Sequence, residues 1–93
     1  MSIEVRVGSI LRKKLNNAKS VEAQGNNVRQ VLEDLERSYP GFKSQIVTET
    51  GEIHHFINIF LNDEDIRFLD GLDTKVKDDN IITILPAVAG GNK

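Results

Sequence analysis

A chain of 93 residues with 39% hydrophobic and 28% charged content is sized for one domain with a single core, burying a little over ~60% of the surface its unfolded form exposes. That balance excludes a disordered chain, and no apolar run is long enough to make a membrane span. Twelve basic residues against fourteen acidic ones leave a formal charge of −2, which argues against nucleic acid as the main partner. Cysteine is absent, so no disulfide framework, thiolate metal site, cysteine nucleophile or persulfide relay belongs to this chain.

Ile3, Val5 and Val7 alternate with Glu4 and Arg6, which predicts a strand with one buried face, closed by Gly8. The first residues lack the long apolar segment of a secretion signal, and with the missing cysteines this points to a reducing cytosol. A turn-rich segment around Asn16-Asn17 leads to a short second strand over Ser20–Ala23, forming a hairpin with the first. After Gly25-Asn26-Asn27, residues Val28, Val31, Leu32 and Leu35 fall at i, i+3, i+4 and i+7. They predict an amphipathic helix with Asn27 as its N-cap. Tyr39-Pro40-Gly41 stops it after about three turns, because a residue before proline is pushed out of helical geometry.

The stretch 42–55 carries mixed signals, with Ile46 and Val47 packing under it and Glu49-Thr50-Gly51-Glu52 as an exposed turn. Phe56–Leu61 is the next strand, and Asn62-Asp63-Glu64-Asp65 turns it into a short partner around Ile66-Arg67-Phe68. Turn signals at Asp70-Gly71 and Asp78-Asp79-Asn80 precede a last strand over Ile81–Leu85. The order strand, strand, helix, strand, short strand, strand is α+β, with one helix on one face of a mixed sheet. A ferredoxin-like arrangement would need a second convincing helix. Inserting the last strand between the first and third gives the β-grasp (ubiquitin-like) fold, with residues 1–86 as the domain and 87–93 as a flexible tail.

That tail reads Ala87-Val88-Ala89-Gly90-Gly91-Asn92-Lys93. A Gly-Gly pair lacks both Cβ atoms, so its backbone enters slots closed to other residues and can lie close to a bound nucleotide. Terminal residues often fray, but this segment leaves straight from a predicted central strand, with Pro86 barring further ladder pairing. The five residues from Ala87 to Gly91 reach about 17 Å when extended, enough to place Gly91 deep inside a partner, with Val88, Ala89 and Gly90 threading the way.

Faces can be assigned to the two strands. Asn58 should face water, so Ile57, Ile59 and Leu61 face the helix while Phe56 and Phe60 share Asn58's side. Thr83 likewise puts Ile82 and Ile84 inside and Leu85 outside. If these strands are neighbours, Phe60 and Leu85 make an apolar docking patch near the tail's exit, unless the loop between Asp65 and Asn80 covers them. Arg12-Lys13-Lys14, the one basic run, reads as solvated surface, and the seven acidic residues from Asp63 to Asp79 read as turn formers in a solvated loop. His54-His55, adjacent on a strand, would point to opposite faces and lack a third ligand, so no metal is expected. There is no phosphate-binding glycine loop, nucleophile elbow or zincin motif, and catalysis by this chain alone is not expected.

Asn62-Asp63-Glu64-Asp65-Ile66-Arg67-Phe68, Asp78-Asp79-Asn80 and the run Ile81 to Gly91 together resemble the ThiS/MoaD family of ubiquitin-like sulfur carriers. Ile10-Leu11-Arg12 and His54 to Ile59 extend the likeness over nearly the whole domain, and it is strongest to the branch serving cysteine biosynthesis. The resemblance implies a carrier rather than an enzyme. An E1-like enzyme would adenylate the Gly91 carboxylate with ATP, and sulfide would displace AMP to leave a thiocarboxylate. A PLP-dependent cysteine synthase would then use that sulfur, and a JAMM-type zinc metallopeptidase would release the product, so ATP, PLP and zinc all belong to partner enzymes. Because Gly91 is followed by Asn92-Lys93, the expectation is that a peptidase, of the same JAMM type, first removes this extension. Other readings are the small subunit of molybdopterin synthase, a protein modifier conjugated through Gly91, and a plain interaction module with an idle tail.

Overall fold

The computed structural model describes residues 2–87. The tail positions Val88, Ala89, Gly90, Gly91, Asn92 and Lys93 lie outside the described residues. The first strand, β1 (Ile3–Val7), buries Ile3, Val5 and Val7 as the alternation predicts. It pairs antiparallel with β2 (Ser20–Ala23), in register from Ile3 opposite Ala23 to Arg6 opposite Ser20. The connection is not simply a turn. Ser9–Leu15 winds as a 3₁₀ helix that buries Leu11 and Leu15, and only then do Asn16 and Asn17 adopt left-handed φ values of 57° and 65°. The polar sequence around Arg12-Lys13-Lys14 hides this element, which burial of two leucines stabilises more than local preference does.

The main helix, α1 (Val28–Ser38), buries Val28, Val31, Leu32 and Leu35. Its start is tied twice: Asn27 Oδ1 accepts the Gln30 amide at 2.8 Å, and Gln30 Oε1 accepts the Asn26 amide at 2.8 Å. These bonds satisfy donors that a helix start leaves free. The mixed stretch contains a second helix, α2 (Phe42–Ile46), entered through Gly41 at φ +95°, a left-handed conformation that a side chain would strain. Glu36 from the end of α1 accepts the amides of Gly41 at 3.0 Å and Lys43 at 2.9 Å. Those two backbone bonds hold its carboxyl below the usual glutamate range.

β3 (Ile57–Leu61) begins one residue later than the pattern implied, and its partner β4 is Glu64–Asp65 rather than the segment around Ile66-Arg67-Phe68. Only two residues turn between them. Asn62 and Asp63 take φ values of 50° and 75°, as a tight hairpin matched to strand twist requires. Ile66 is then drawn into the core, and Ile66–Phe68 forms a 3₁₀ turn capped by Asp65. A further 3₁₀ turn over Gly71–Asp73 packs on α1, which carries Leu72 and Val76 into the core.

The last strand, β5 (Ile81–Pro86), completes a five-stranded sheet in the order β2-β1-β5-β3-β4. β5 runs parallel to β1 and antiparallel to β3. This is the β-grasp arrangement expected from the element order. Ile82 and Ile84 are fully buried, where they join Val5, Ile57 and Ile59 under the helix's Val31, Leu32 and Leu35 in one continuous core. Each such side chain contributes roughly 1.5–3 kcal/mol relative to an exposed position.

Candidate functional site: the exit of the central strand

The chain leaves the sheet between two neighbours. On the β1 side the Gly8 amide donates to the Ile84 carbonyl at 3.0 Å; on the β3 side the Ala87 amide donates to the Phe56 carbonyl at 2.7 Å. Pro86, opposite Ile57, has no amide to donate. A Cβ on Gly8 would lie 3.0 Å from Pro86 Cδ and 3.4 Å from Leu85 Cδ2. Gly8 itself has an ordinary extended conformation, so its lack of a side chain serves space rather than backbone freedom: the proline ring fills it. β5 is thereby held as far as Ala87, from which Gly90 and Gly91 follow in sequence.

On the sheet face away from the helix, Leu85 is 38% exposed and stands opposite Asn58, while the half-buried Phe60 stands opposite Thr83. Phe60 and Leu85 are therefore diagonal neighbours on adjacent strands, and the loop after β4 turns instead toward the helical layer, where Ile66, Leu72 and Val76 are buried. Phe56 lies closer to the exit than Phe60, since its own carbonyl holds Ala87. Phe56 is 53% exposed, and its ring stacks on His54 at 4.8 Å and meets His55 edge-on at 6.3 Å. The expectation of a strand through His54-His55 is corrected: both precede β3 and flank Phe56, and His54 Nε2 lies 3.1 Å from the Ser44 carbonyl. Among the described residues, no group of three or more His, Cys, Asp or Glu gathers in a way that could hold a metal.

Sequence reasoning gave Arg67 no part here. Because β4 is two residues long and pairs only with Phe60 and Leu61, β3 has an uncovered edge at Ile57 and Asn58. The Arg67 guanidinium covers it, donating to the Ile57 carbonyl at 2.6 Å and to Asn58 Oδ1 at 2.5 Å. Asp65 Oδ1 accepts the Arg67 amide at 2.9 Å and fixes the turn that aims the side chain. Arg67→Ala is expected to lower stability by about 1 kcal/mol, or roughly 4–8 °C in Tm. Arg67→Lys should not restore the loss, because one ammonium lacks the fork that spans both acceptors. Thermal melts of the original chain and the two variants check this, and an Arg67→Lys chain as stable as the original would show that the fork is not needed.

The sequence and the fold both match known proteins. The ThiS family profile matches residues 5–91, a span that includes Gly90 and Gly91. The sulfur carrier protein CysO of Mycobacterium tuberculosis (strain ATCC 25618 / H37Rv) is 43% identical over 93 residues, covering 98% of this chain and 100% of that protein. The crystal structure of the Amycolatopsis orientalis BexX/CysO complex contains a chain 46% identical with a TM-score of 0.89, covering 96% of this chain and 99% of that one. The solution structure of small archaeal modifier protein 1 from Methanosarcina acetivorans is 34% identical with a TM-score of 0.81, covering 97% and 96%. A β-grasp domain with a central strand running out toward Gly-Gly, matched over almost its full length, belongs to the ThiS family.

Proposed function

We propose that this chain is a sulfur carrier whose working atom is the carboxyl carbon of Gly91. The observation that carries the reading is the position of β5: the strand that leads to Gly90-Gly91 lies between β1 and β3 and is hydrogen-bonded to the β1 side as far as Ile84 and to the β3 side as far as Ala87. A rigid base with a slim leader suits insertion of a reactive terminus into another protein's pocket. The likeness to sulfur carrier proteins supports the same reading.

The chemistry starts with hydrolysis of the Gly91–Asn92 amide, since Gly91 otherwise has no free carboxylate. We assign that step to a JAMM-type zinc metallopeptidase, whose groove an extended Gly-Gly strand would suit. A carboxylate oxygen of Gly91 then attacks the α-phosphorus of ATP on an E1-like enzyme, releasing pyrophosphate. Sulfide next attacks the acyl carbon, and AMP departs with the C–O bond electrons to leave the thiocarboxylate. A PLP-dependent cysteine synthase is the proposed consumer, with Phe60 and Leu85 anchoring partners on the outer face and Val88 and Ala89 spanning to the pocket. ATP, PLP and zinc all act on the partners, and residues 1–86 serve as the domain that carries tail 87–93.

The test is the intact mass of a chain ending at Gly91 after incubation with ATP, sulfide and a cognate activating enzyme. The expected result is exchange of one oxygen for sulfur, and an unchanged mass with an active enzyme would reject the carrier reading. The likeness to an archaeal modifier protein favours a second reading, conjugation of Gly91 to lysines of other proteins. A ladder of conjugates on immunoblots that vanishes when Gly91 is deleted would support it.

A further inference from the structure

The outer sheet face carries two hollows of opposite charge, one at each end of β5. At the start of the strand, Ser2, Glu4, Glu22, Asp79, Asn80 and Ile81 line a hollow whose ionisable groups are all carboxylates. The Asn62-Asp63 turn lies at this end as well, joined to β5 by the Asn62 side chain and the Ile81 amide at 2.8 Å. At the exit, a second hollow brings Arg6, Arg12 and Lys19 together beside Thr83 and Leu85, with Glu4 as its one acidic group.

Glu4 is already paired with Arg6 at 2.7 Å. Among the described residues, neither Arg12 nor Lys19 has a carboxylate partner. Arg12 is held in place: its Nε donates to the Val7 carbonyl at 3.1 Å, next to the point where Gly8 bonds Ile84. On the same 3₁₀ helix as Arg12, Lys13 is exposed and Ile10 is 72% exposed. Of the basic run that the sequence presents as solvated surface, the fold therefore places Arg12 at the side of the exit, while Lys14 lies near Gly41 in the helical layer.

We propose that this end of the molecule is a docking collar for acidic side chains, Asp and Glu, on the rim of the pocket that receives the tail. The proposal rests on the carrier reading and adds the partner's chemistry. Charge complementarity selects the occupant: Arg12 and Lys19, which lack a carboxylate partner among the described residues, line the hollow that holds the exposed Leu85, while Glu22 and Asp79 line the hollow at the far end of the same strand. A net charge of −2 hides this polarity. An approaching acidic rim is attracted to the exit end and repelled by the other, so encounters are oriented with the tail foremost, which raises association rates in a salt-dependent way.

The full chain is mixed with a cognate activating enzyme in stopped flow without ATP, from low ionic strength to about 0.5 M salt, where screening leaves little long-range attraction. Arg12→Gln with Lys19→Gln is expected to slow association about tenfold at low salt, a difference that closes at high salt. Lys19→Gln alone alters an exposed side chain that makes none of the hydrogen bonds described and should lose about threefold, which keeps the test valid if removing Arg12 disturbs the fold. Glu22→Gln with Asp79→Asn should leave the rate unchanged or raise it. Equal rates for the original chain and both cation variants at low salt would overturn the collar, as would a preference of these cations for free phosphate or RNA over the enzyme. The same mixtures with ATP, using a chain ending at Gly91, report adenylation separately. Salt-steered association without adenylate would leave the collar standing and defeat the carrier chemistry.

Discussion

A chain ending at Ala89 is expected to melt with the full chain and to accept no sulfur at all. The buried core runs from Ile3 to Ile84, and the last backbone bond among the described residues is Ala87 to Phe56. Losing residues beyond these should change stability by no more than about 0.5 kcal/mol. On the proposed carrier reading, loading depends on the opposite set of positions, since without Gly91 there is no acyl carbon to reach the partner's nucleotide. A milder change makes the same point. In a chain ending at Gly91, Gly90→Val keeps the carboxylate but adds a branched side chain where a narrow slot is proposed, and misplacing the reacting group by about 1 Å costs on the order of a hundredfold in rate. Both effects are read from intact mass after incubation with ATP, sulfide and activating enzyme, beside thermal melts of each variant. A chain ending at Ala89 that unfolds several degrees earlier would show that the tail belongs to the fold.

Ile84→Ala is expected to cost about 2–5 kcal/mol, the largest loss of stability from a single truncation considered for this domain. Ile84 is 0% exposed and lies between Val7 of β1 and Ile59 of β3 in the middle of the sheet, where a cavity has no solvent side into which to relax. At roughly 4–8 °C of Tm per kcal/mol for a domain this size, the fall should exceed about 8 °C. Leu85, the next residue, should behave in reverse: Leu85→Ala removes a side chain already 38% exposed, costing under about 1 kcal/mol while weakening partner binding. Thermal melts combined with titration against an activating enzyme separate the two faces. Equal destabilisation by both changes would contradict the face assignment.

Most of this architecture was legible because its strands obey strict periodicity. The alternation at Ile3, Val5 and Val7, the helical stripe from Val28 to Leu35, and the inward pair Ile82 and Ile84 each have one satisfactory burial, and the structure adopts it. Strand order followed from placing one helix over a mixed sheet. What escaped was short and held by tertiary contacts. The 3₁₀ helix over Ser9–Leu15 rests on two leucines among basic residues, and α2 is five residues long. Segments of that length lack the cooperativity that lets local sequence declare a helix.

The β3–β4 hairpin was displaced because two left-handed residues, Asn62 and Asp63, suffice for the turn, whereas the polar run through Asp65 reads as a longer one. At the exit, Gly90 and Gly91 were conspicuous in the sequence, but the residues that shape their base were not. Arg67 matters through a carbonyl left open by a two-residue strand, and Gly8 through the ring of a proline far along the chain. Neither relation leaves a local pattern to read.

The pairing of β1 with β5 joins residues near the start of the sequence to residues near Pro86. The middle position of the sheet therefore cannot be filled until Ile81–Pro86 has been synthesised, and only then can β1 and β3 be joined through β5. Assembly of this kind is all-or-none and comparatively slow, because the distant contact must form before it is rewarded. The same geometry makes the domain indifferent to cleavage past Ala87 and intolerant of a cut within β5. A hydrolase that cut past Ala87 would leave every described pairing of β5 in place, while a nick within the strand would break the sheet at its middle.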